Sequence, residues 1–341
     1  MDNLSFLENP KICGELSVLG VPLDLGKDAS GTDASPEALR SEGLISILGE
    51  LGFTVHDLKN IICPRREAAT LGDLKIKYLK DILPVLSQTA EVVKREVLAK
   101  KKMLVIGGDN TISIGSVGGA ADEAEPLGVI WIDAHADINT NDTTLSGNVH
   151  GMPIAALLGL GDKRLTNISF SGAKIKPENL LYIGLKDVDV AEMNFLRQLK
   201  VPTVTMLEIA ESGLSPAFEK IKILAQRVKR AWVCLDVDSI DGQYAPATPM
   251  ATSGGLTYRE SINLAKFIGK ICPVIGVDVS EFAPALDSNH RTAQLIIELV
   301  ANYFGGEAGW YSRYMNEEIR KQSARKNSET GIDIASKNMI L

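Results

Sequence analysis

Gly128-Val129-Ile130-Trp131-Ile132-Asp133-Ala134-His135-Ala136-Asp137 is the stretch on which the fold turns. The run Gly128–Ile132 has no polar alternation, so it fits a strand buried on both faces, and such strands belong to parallel sheets covered by helices. Two acids and an imidazole follow it, separated only by Ala134 and Ala136. In an extended chain alternate side chains share a face. Asp133, His135 and Asp137 are therefore expected to converge just past the strand as half of a metal site, since uncompensated burial of such groups is costly.

Outward from this stretch, similar apolar runs recur at Leu16–Leu19, Met103–Ile106, Leu181–Ile183, Val201–Val204, Trp232–Leu235 and Val274–Val277. Amphipathic stretches lie between them. They are Pro36–Leu51 (Ser35 as N-cap, Pro36 at the first helical position), Lys77–Lys101, Glu192–Lys200, Pro216–Arg230 and Tyr258–Lys270. Strands alternating with helices predict an α/β fold with helices on both faces of a mostly parallel sheet. Asp137–Gly151, rich in Asn, Thr and Gly, is expected to be a long loop. The polar stretch from Met315 onward is expected to be a tail or an arm on a neighbouring subunit, beyond a single domain at 1–314.

Composition narrows the function classes. With 45% hydrophobic and 23% charged residues in 341, the chain is an ordinary globular protein, and a net charge of −7 argues against electrostatic binding to nucleic acid or anionic lipid. Cys13, Cys63, Cys234 and Cys272 form no CxxC pair and predict reduced thiols. No apolar run approaches the ~20 residues of a membrane span. Met1-Asp2-Asn3-Leu4 does not read as a signal peptide, so a cytoplasmic location is expected.

Ligands of an open parallel sheet bind beyond the C-terminal ends of its strands, and several such ends carry chemistry here. Asp236-Val237-Asp238 repeats the pattern of two acids after a core strand, with Asp241 beyond. Together with the first stretch this supplies several carboxylates and an imidazole, an oxygen-rich set that suits manganese or magnesium better than zinc or copper. Ile106-Gly107-Gly108-Asp109-Asn110 follows another strand, and its alternative reading is a plain turn whose Asn110 caps the next helix. His150, within Ser146-Gly147-Asn148-Val149-His150-Gly151-Met152-Pro153, is placed to carry protons near neutral pH. Glu281, after the run Val274–Val277, is expected to point into the same basin.

Taken in order, GGDN at 107–110, DAHAD at 133–137, SGNVHGMP at 146–153, DVDSID at 236–241 and GLTYRE at 255–260 resemble the arginase/agmatinase (ureohydrolase) family, and arginase most. The likeness runs from about Glu15 to about Tyr311. It implies a three-layer α/β/α domain, a trimer or hexamer, two manganese ions and a small guanidino substrate cleaved to release urea. Residue by residue, it implies metal ligation by Asp133, His135, Asp137, Asp236 and Asp238. His150 would be the proton shuttle, and Glu281 the acid that pairs with the guanidinium. Asp137 would also bond the attacking hydroxide. Asn139, Thr144 and Ser146 would lie around the substrate carboxylate, and Asp189 and Glu192 near its α-amino group.

The chain departs from that pattern at Asn110, where the family usually has a histidine ligand to the first ion. An amide is a poorer manganese donor than imidazole, so one firmly held Mn²⁺ is expected and a second weak or absent. Pro249-Met250-Ala251 and Ala283 also depart, close to where a guanidinium group is expected. Other ureohydrolase substrates, such as those of agmatinase or formiminoglutamase, remain open at this stage, as does a metal-poor, non-catalytic relative.

Overall fold

The computed structural model describes residues 14–121 and 125–306 together with Glu318. The residues up to Gly306 belong to one unit, Met1–Gly306. The expected tail at 315–341, Cys13 and the 314 boundary lie outside the described residues, save for Glu318.

Eight strands form a single sheet: β1 Gly14–Val21, β2 Phe53–Asn60, β3 Lys102–Gly107, β4 Leu127–Ile132, β5 Leu180–Leu185, β6 Thr203–Thr205, β7 Arg230–Asp236 and β8 Val274–Ser280. Their order is β2-β1-β3-β8-β7-β4-β5-β6. Every pair is parallel. Two apolar layers cover the sheet. One gathers Leu104, Ile132, Leu235 and Val279 with residues of the helices Tyr258–Ile271 and Arg291–Tyr303. The other gathers Val105, Trp131 and Tyr182 with the helices Leu79–Leu98 and Ile112–Ala120. This is the expected three-layer α/β/α arrangement, and the sheet is wholly rather than mostly parallel.

The strand order positions the site. After β3 the chain crosses past the places later filled by β8 and β7 before it forms β4. The four central strands therefore flank a topological switch point, where open α/β sheets leave a crevice. Their register brings the ends level, with Ile106 beside Val279, Asp236 beside Ser280 and Ile132 beside Leu235.

Local differences from expectation have physical causes. β2 was not anticipated, because this edge strand is mostly half-exposed and lacks a continuous apolar run. The stretch Pro36–Leu51 is two helices, Ser35–Ser41 and Leu44–Glu50, divided at Gly43 with φ 86°. Ser35 is the first helical residue rather than the N-cap, and Ala34 precedes it. The helix Ile112–Ala120 is buried on all sides, so it carries no amphipathic signature.

Candidate metal centre

β4 ends at Ile132, and the two acids and imidazole that follow are brought together by a bend rather than by continued extended chain. Asp137 has φ 48°, a left-handed backbone that non-glycine residues adopt at a cost of roughly 1 kcal/mol or more. Its carbonyl accepts from Ile154 N at 3.0 Å, and Tyr182 Oη donates to the carbonyl of Ala136 at 2.6 Å, which hold the bend. Glu281 shares the left-handed conformation, with φ 63°, and its N–H donates to Gly108 O at 2.8 Å. Gly108 is required at that crossing, since a Cβ there would sit 1.8 Å from Leu23 O.

The acids of the β4 and β7 ends meet in one buried basin. Asp133, His135 and Asp238 each offer a ligand atom, and these atoms lie within 4.8 Å of one another. His135 Nδ1 is 3.4 Å from Asp133 Oδ1 and 3.3 Å from Asp238 Oδ2. Trp131 Nε1 donates to Asp133 Oδ2 at 2.9 Å and His135 N donates to Asp133 Oδ1 at 2.7 Å, fixing that carboxylate. Asp238 Oδ1 is buried with no hydrogen-bond partner among the described residues. A buried carboxylate oxygen without a donor is costly. This donor set of two carboxylates and an imidazole, with a lone pair left over, fits a divalent cation.

The opposite side of the basin is arranged differently. Asn110 Nδ2 lies 2.6 Å from Asp236 Oδ2, 2.9 Å from Asp137 Oδ2 and 3.3 Å from Asp133 Oδ2. Ser280 Oγ donates to Asn110 Oδ1, so the amide is oriented with its N–H groups toward the acids. Asp236 Oδ1 is occupied by Asp238 N at 2.7 Å. Asp236 and Asp137 therefore each accept from a neutral donor while lying close enough to Asp133 and Asp238 to feel their charge. Here a neutral amide presents N–H groups where the other side presents an imidazole. An amide has two N–H donors for these three acceptors, and Asp133 Oδ2, the most distant, is also served by Trp131 Nε1.

The electrostatics follow from this crowding. Burial, then the neighbouring acids, push the carboxyls of Asp133, Asp137 and Asp236 above the usual carboxylate range. For His135 burial opposes protonation, but the Asp133 and Asp238 carboxylates outweigh it and raise the imidazole. Glu281 goes the other way. Burial would raise it, yet His150 and Lys27 together hold it well below the ordinary glutamate value.

His150 stands at the mouth of the basin with Nδ1 3.6 Å from Glu281 Oε1, and Glu281 in turn raises the His150 pKa against the effect of burial. Asn139 Nδ2 donates to Asp189 Oδ2 at 2.7 Å, joining two residues expected around the substrate. Thr144 and Ser146 hydroxyls are 3.5 Å apart on the loop. Glu192 is buried and serves the capping box of the helix Val190–Leu199, exchanging bonds with Asp189, while its Oε1 accepts from Ile138 N. Asn110 does not cap the next helix; Thr111 precedes that helix, and Asp109 Oδ1 accepts from Thr111 N.

Sequence reasoning missed Lys27 and Ser280. Lys27 Nζ bonds Glu281 Oε2 inside the protein. Its signal was a lysine directly behind Leu23-Asp24-Leu25-Gly26, but the partner is distant in the chain. Ser280, the last residue of β8, directly precedes Glu281, and nothing local to it signals its bond to Asn110.

The arginase family model matches residues 15–305. The chain belongs to the arginase family. A curated arginase of Bacillus caldovelox is 37% identical over 292 residues, covering 85% of this chain and 98% of that protein. The crystal structure of Bacillus cereus arginase superposes with a TM-score of 0.82 at 33% identity, covering 86% of this chain and all of the other. That of Entamoeba histolytica arginase in complex with L-ornithine gives 0.79 at 26% identity, covering 86% and 99%. The arginase-family chain is thus a ureohydrolase on the expected scaffold.

Proposed function

We propose that this protein is an arginase-type hydrolase that cleaves the guanidinium group of L-arginine to L-ornithine and urea around one firmly held manganese ion. The observation that carries the reading is the Asp133–His135–Asp238 cluster with its unpartnered Asp238 oxygen, in a chain that matches curated arginases along nearly their whole length.

Asp133, His135 and Asp238 would hold the ion, with Asp236 beside them. When bound, such an ion supplies a nucleophilic water at neutral pH. Asp137 lies on the same basin and accepts a hydrogen bond from the attacking water, aiming it at the guanidinium carbon. Glu281 offers Oε1 to the guanidinium N–H groups. His150, beside that oxygen, delivers a proton to the departing amine nitrogen, a contribution of typically ~10²–10⁴-fold. Asn139, Asp189, Thr144 and Ser146 would hold the amino-acid end, and Glu192 keeps Asp189 and the Ile138 backbone in place for it. The overall change is balanced: water adds to the guanidinium carbon, the C–N bond to the side chain breaks, and ornithine leaves with the proton.

The second ion is absent or weak in this reading, because Asn110 presents N–H groups to the acids that would share it. A trimeric or hexameric assembly and a cytoplasmic location belong to the same proposal. No helix among the described residues is long and apolar enough to cross a membrane.

The test is a urea and ornithine assay on the full chain with Mn²⁺, using arginine, agmatine and formiminoglutamate. Equimolar urea and ornithine from arginine, lost on chelation and restored by Mn²⁺, is the expected outcome. Turnover of another compound in preference to arginine would overturn the substrate, and no turnover with metal bound would overturn the reaction.

A further inference from the structure

One member of an ion pair in the basin, Lys27, has no part in the reaction just described. Lys27 and Glu281 are each only 3% and 2% exposed, and Lys27 Nζ donates to Glu281 Oε2. The backbone around Lys27 is pinned on several sides. Gly26 N donates to Asp109 Oδ2 at 2.8 Å, His150 N donates to Gly26 O at 3.0 Å, and Arg66 Nη2 donates to Lys27 O at 2.9 Å. Gly26 itself cannot carry a side chain, because a Cβ would lie 1.9 Å from Thr111 Oγ1. The turn that brings in the ammonium is therefore built, and it also carries the His150 loop.

The consequence is electrostatic. A guanidinium group needs a carboxylate counter-ion when it leaves water. In this basin the buried Glu281, beside His150, already has a cation on Oε2. A guanidinium arriving at Oε1 meets a carboxylate already paired on its other oxygen, with a like charge next to it that the buried Asp109 carboxylate offsets only in part, and like charges repel strongly where water is excluded. Lysine is a compact point charge on a flexible stem, so it competes for the acid without filling the space of a planar guanidinium.

We propose that Lys27 is a specificity-determining residue, an internal ammonium on Glu281 that raises the concentration of cationic guanidino substrate the site requires and favours neutral ligands of the same shape. The proposal rests on the arginase reading above for its substrate. Lys27 acts through Glu281, so it positions charge and takes no part in bond breaking.

Lys27→Gln keeps a donor for Oε2 and removes the charge. In the Mn²⁺-loaded full chain, KM for arginine is expected to fall by ~10-fold or more, the order a buried charge contact commands. The inhibition constant of citrulline, the neutral ureido analogue, should move less than ~2-fold, and kcat less than KM. An unchanged or raised KM, or a parallel shift for citrulline, would overturn the proposal. If Lys27→Gln does not fold, Lys27→Arg decides: it keeps the charge in a bulkier head and must leave the arginine KM as high or higher. A lower KM in that variant sinks the proposal. If the wild type binds metal yet releases no urea from arginine, the reaction assignment fails by itself. The proposal is then judged by calorimetry, where arginine must bind more tightly relative to citrulline in Lys27→Gln than in the wild type, and equal ratios refute it.

Discussion

On one side of the basin, Asp236 and Asp137 accept from Asn110 Nδ2, and Ser280 holds that amide in place. On the other, Asp133, His135 and Asp238 bring ligand atoms within 4.8 Å, and Asp238 Oδ1 has no donor among the described residues. The same sheet end thus carries acids of one chemical kind in two states. Where the chain supplies its own N–H, the need for a cation falls. Where an oxygen such as Asp238 Oδ1 receives none, burial and mutual repulsion keep that need high. A single amide, Asn110 in the turn after β3, is what the acids of the first side share.

The largest effect is expected from the open side. Asp238→Asn removes a charge from the cluster and should weaken metal binding by more than the ~10–100-fold typical of losing a supporting partner. Urea release should fall with it. Metal titration by calorimetry checks this, and unchanged affinity would mean the ion sits elsewhere.

Next is Asn110→His on the closed side. An imidazole turns a donor into a lone pair, so the bound metal should rise from one toward two per chain, with kcat/KM up by roughly tenfold or more. Elemental analysis beside the urea assay reads both numbers. If the count stays at one, the amide is not what keeps the second ion out.

These two variants also mark what the sequence made legible. Asp133, His135, Asp236 and Asp238 were readable because each pair follows a buried apolar run, and the C-terminal ends of parallel strands converge. The reason given for Asp137 was not the operating one, since β4 stops at Ile132 and a left-handed residue turns the chain back. Asn110 stood out in the sequence as an amide among expected ligands, but not as a donor bridging several acids, because that depends on how Ser280 orients its amide. Lys27 was invisible for a similar reason. Its partner lies at the far end of the chain, and pairing across such a separation is set by strand order, which local patterns do not encode. In the fold, strands buried on both faces were readable, whereas the half-exposed edge strand β2 and the wholly buried helix Ile112–Ala120 had lost the contrast that periodicity depends on.

A smaller effect is expected at Ser280. Ser280→Ala leaves Asn110 Oδ1 buried without its donor, a loss of about 1–3 kcal/mol in stability. It also frees the amide to rotate. The midpoint of urea unfolding should drop with an unchanged slope, and the drop should shrink at saturating Mn²⁺ if the freed amide then offers its oxygen to a cation. A drop that Mn²⁺ does not affect would separate Ser280 from the metal question.

The smallest change serves as a contrast away from the basin. Thr257 caps the helix Tyr258–Ile271 in a reciprocal capping box with Glu260. Thr257→Ala should cost about 1 kcal/mol and leave the metal count untouched. A shift in metal count would show that the two sides of the basin respond to general loosening rather than to their own donors.

The asymmetry itself is tested most directly by counting tightly bound divalent metal in the wild-type chain, after loading with Mn²⁺ and extensive dialysis. One ion per chain is the predicted result. Two ions retained with comparable affinity would contradict the account, because the acids facing Asn110 would then hold a cation as firmly as those facing His135.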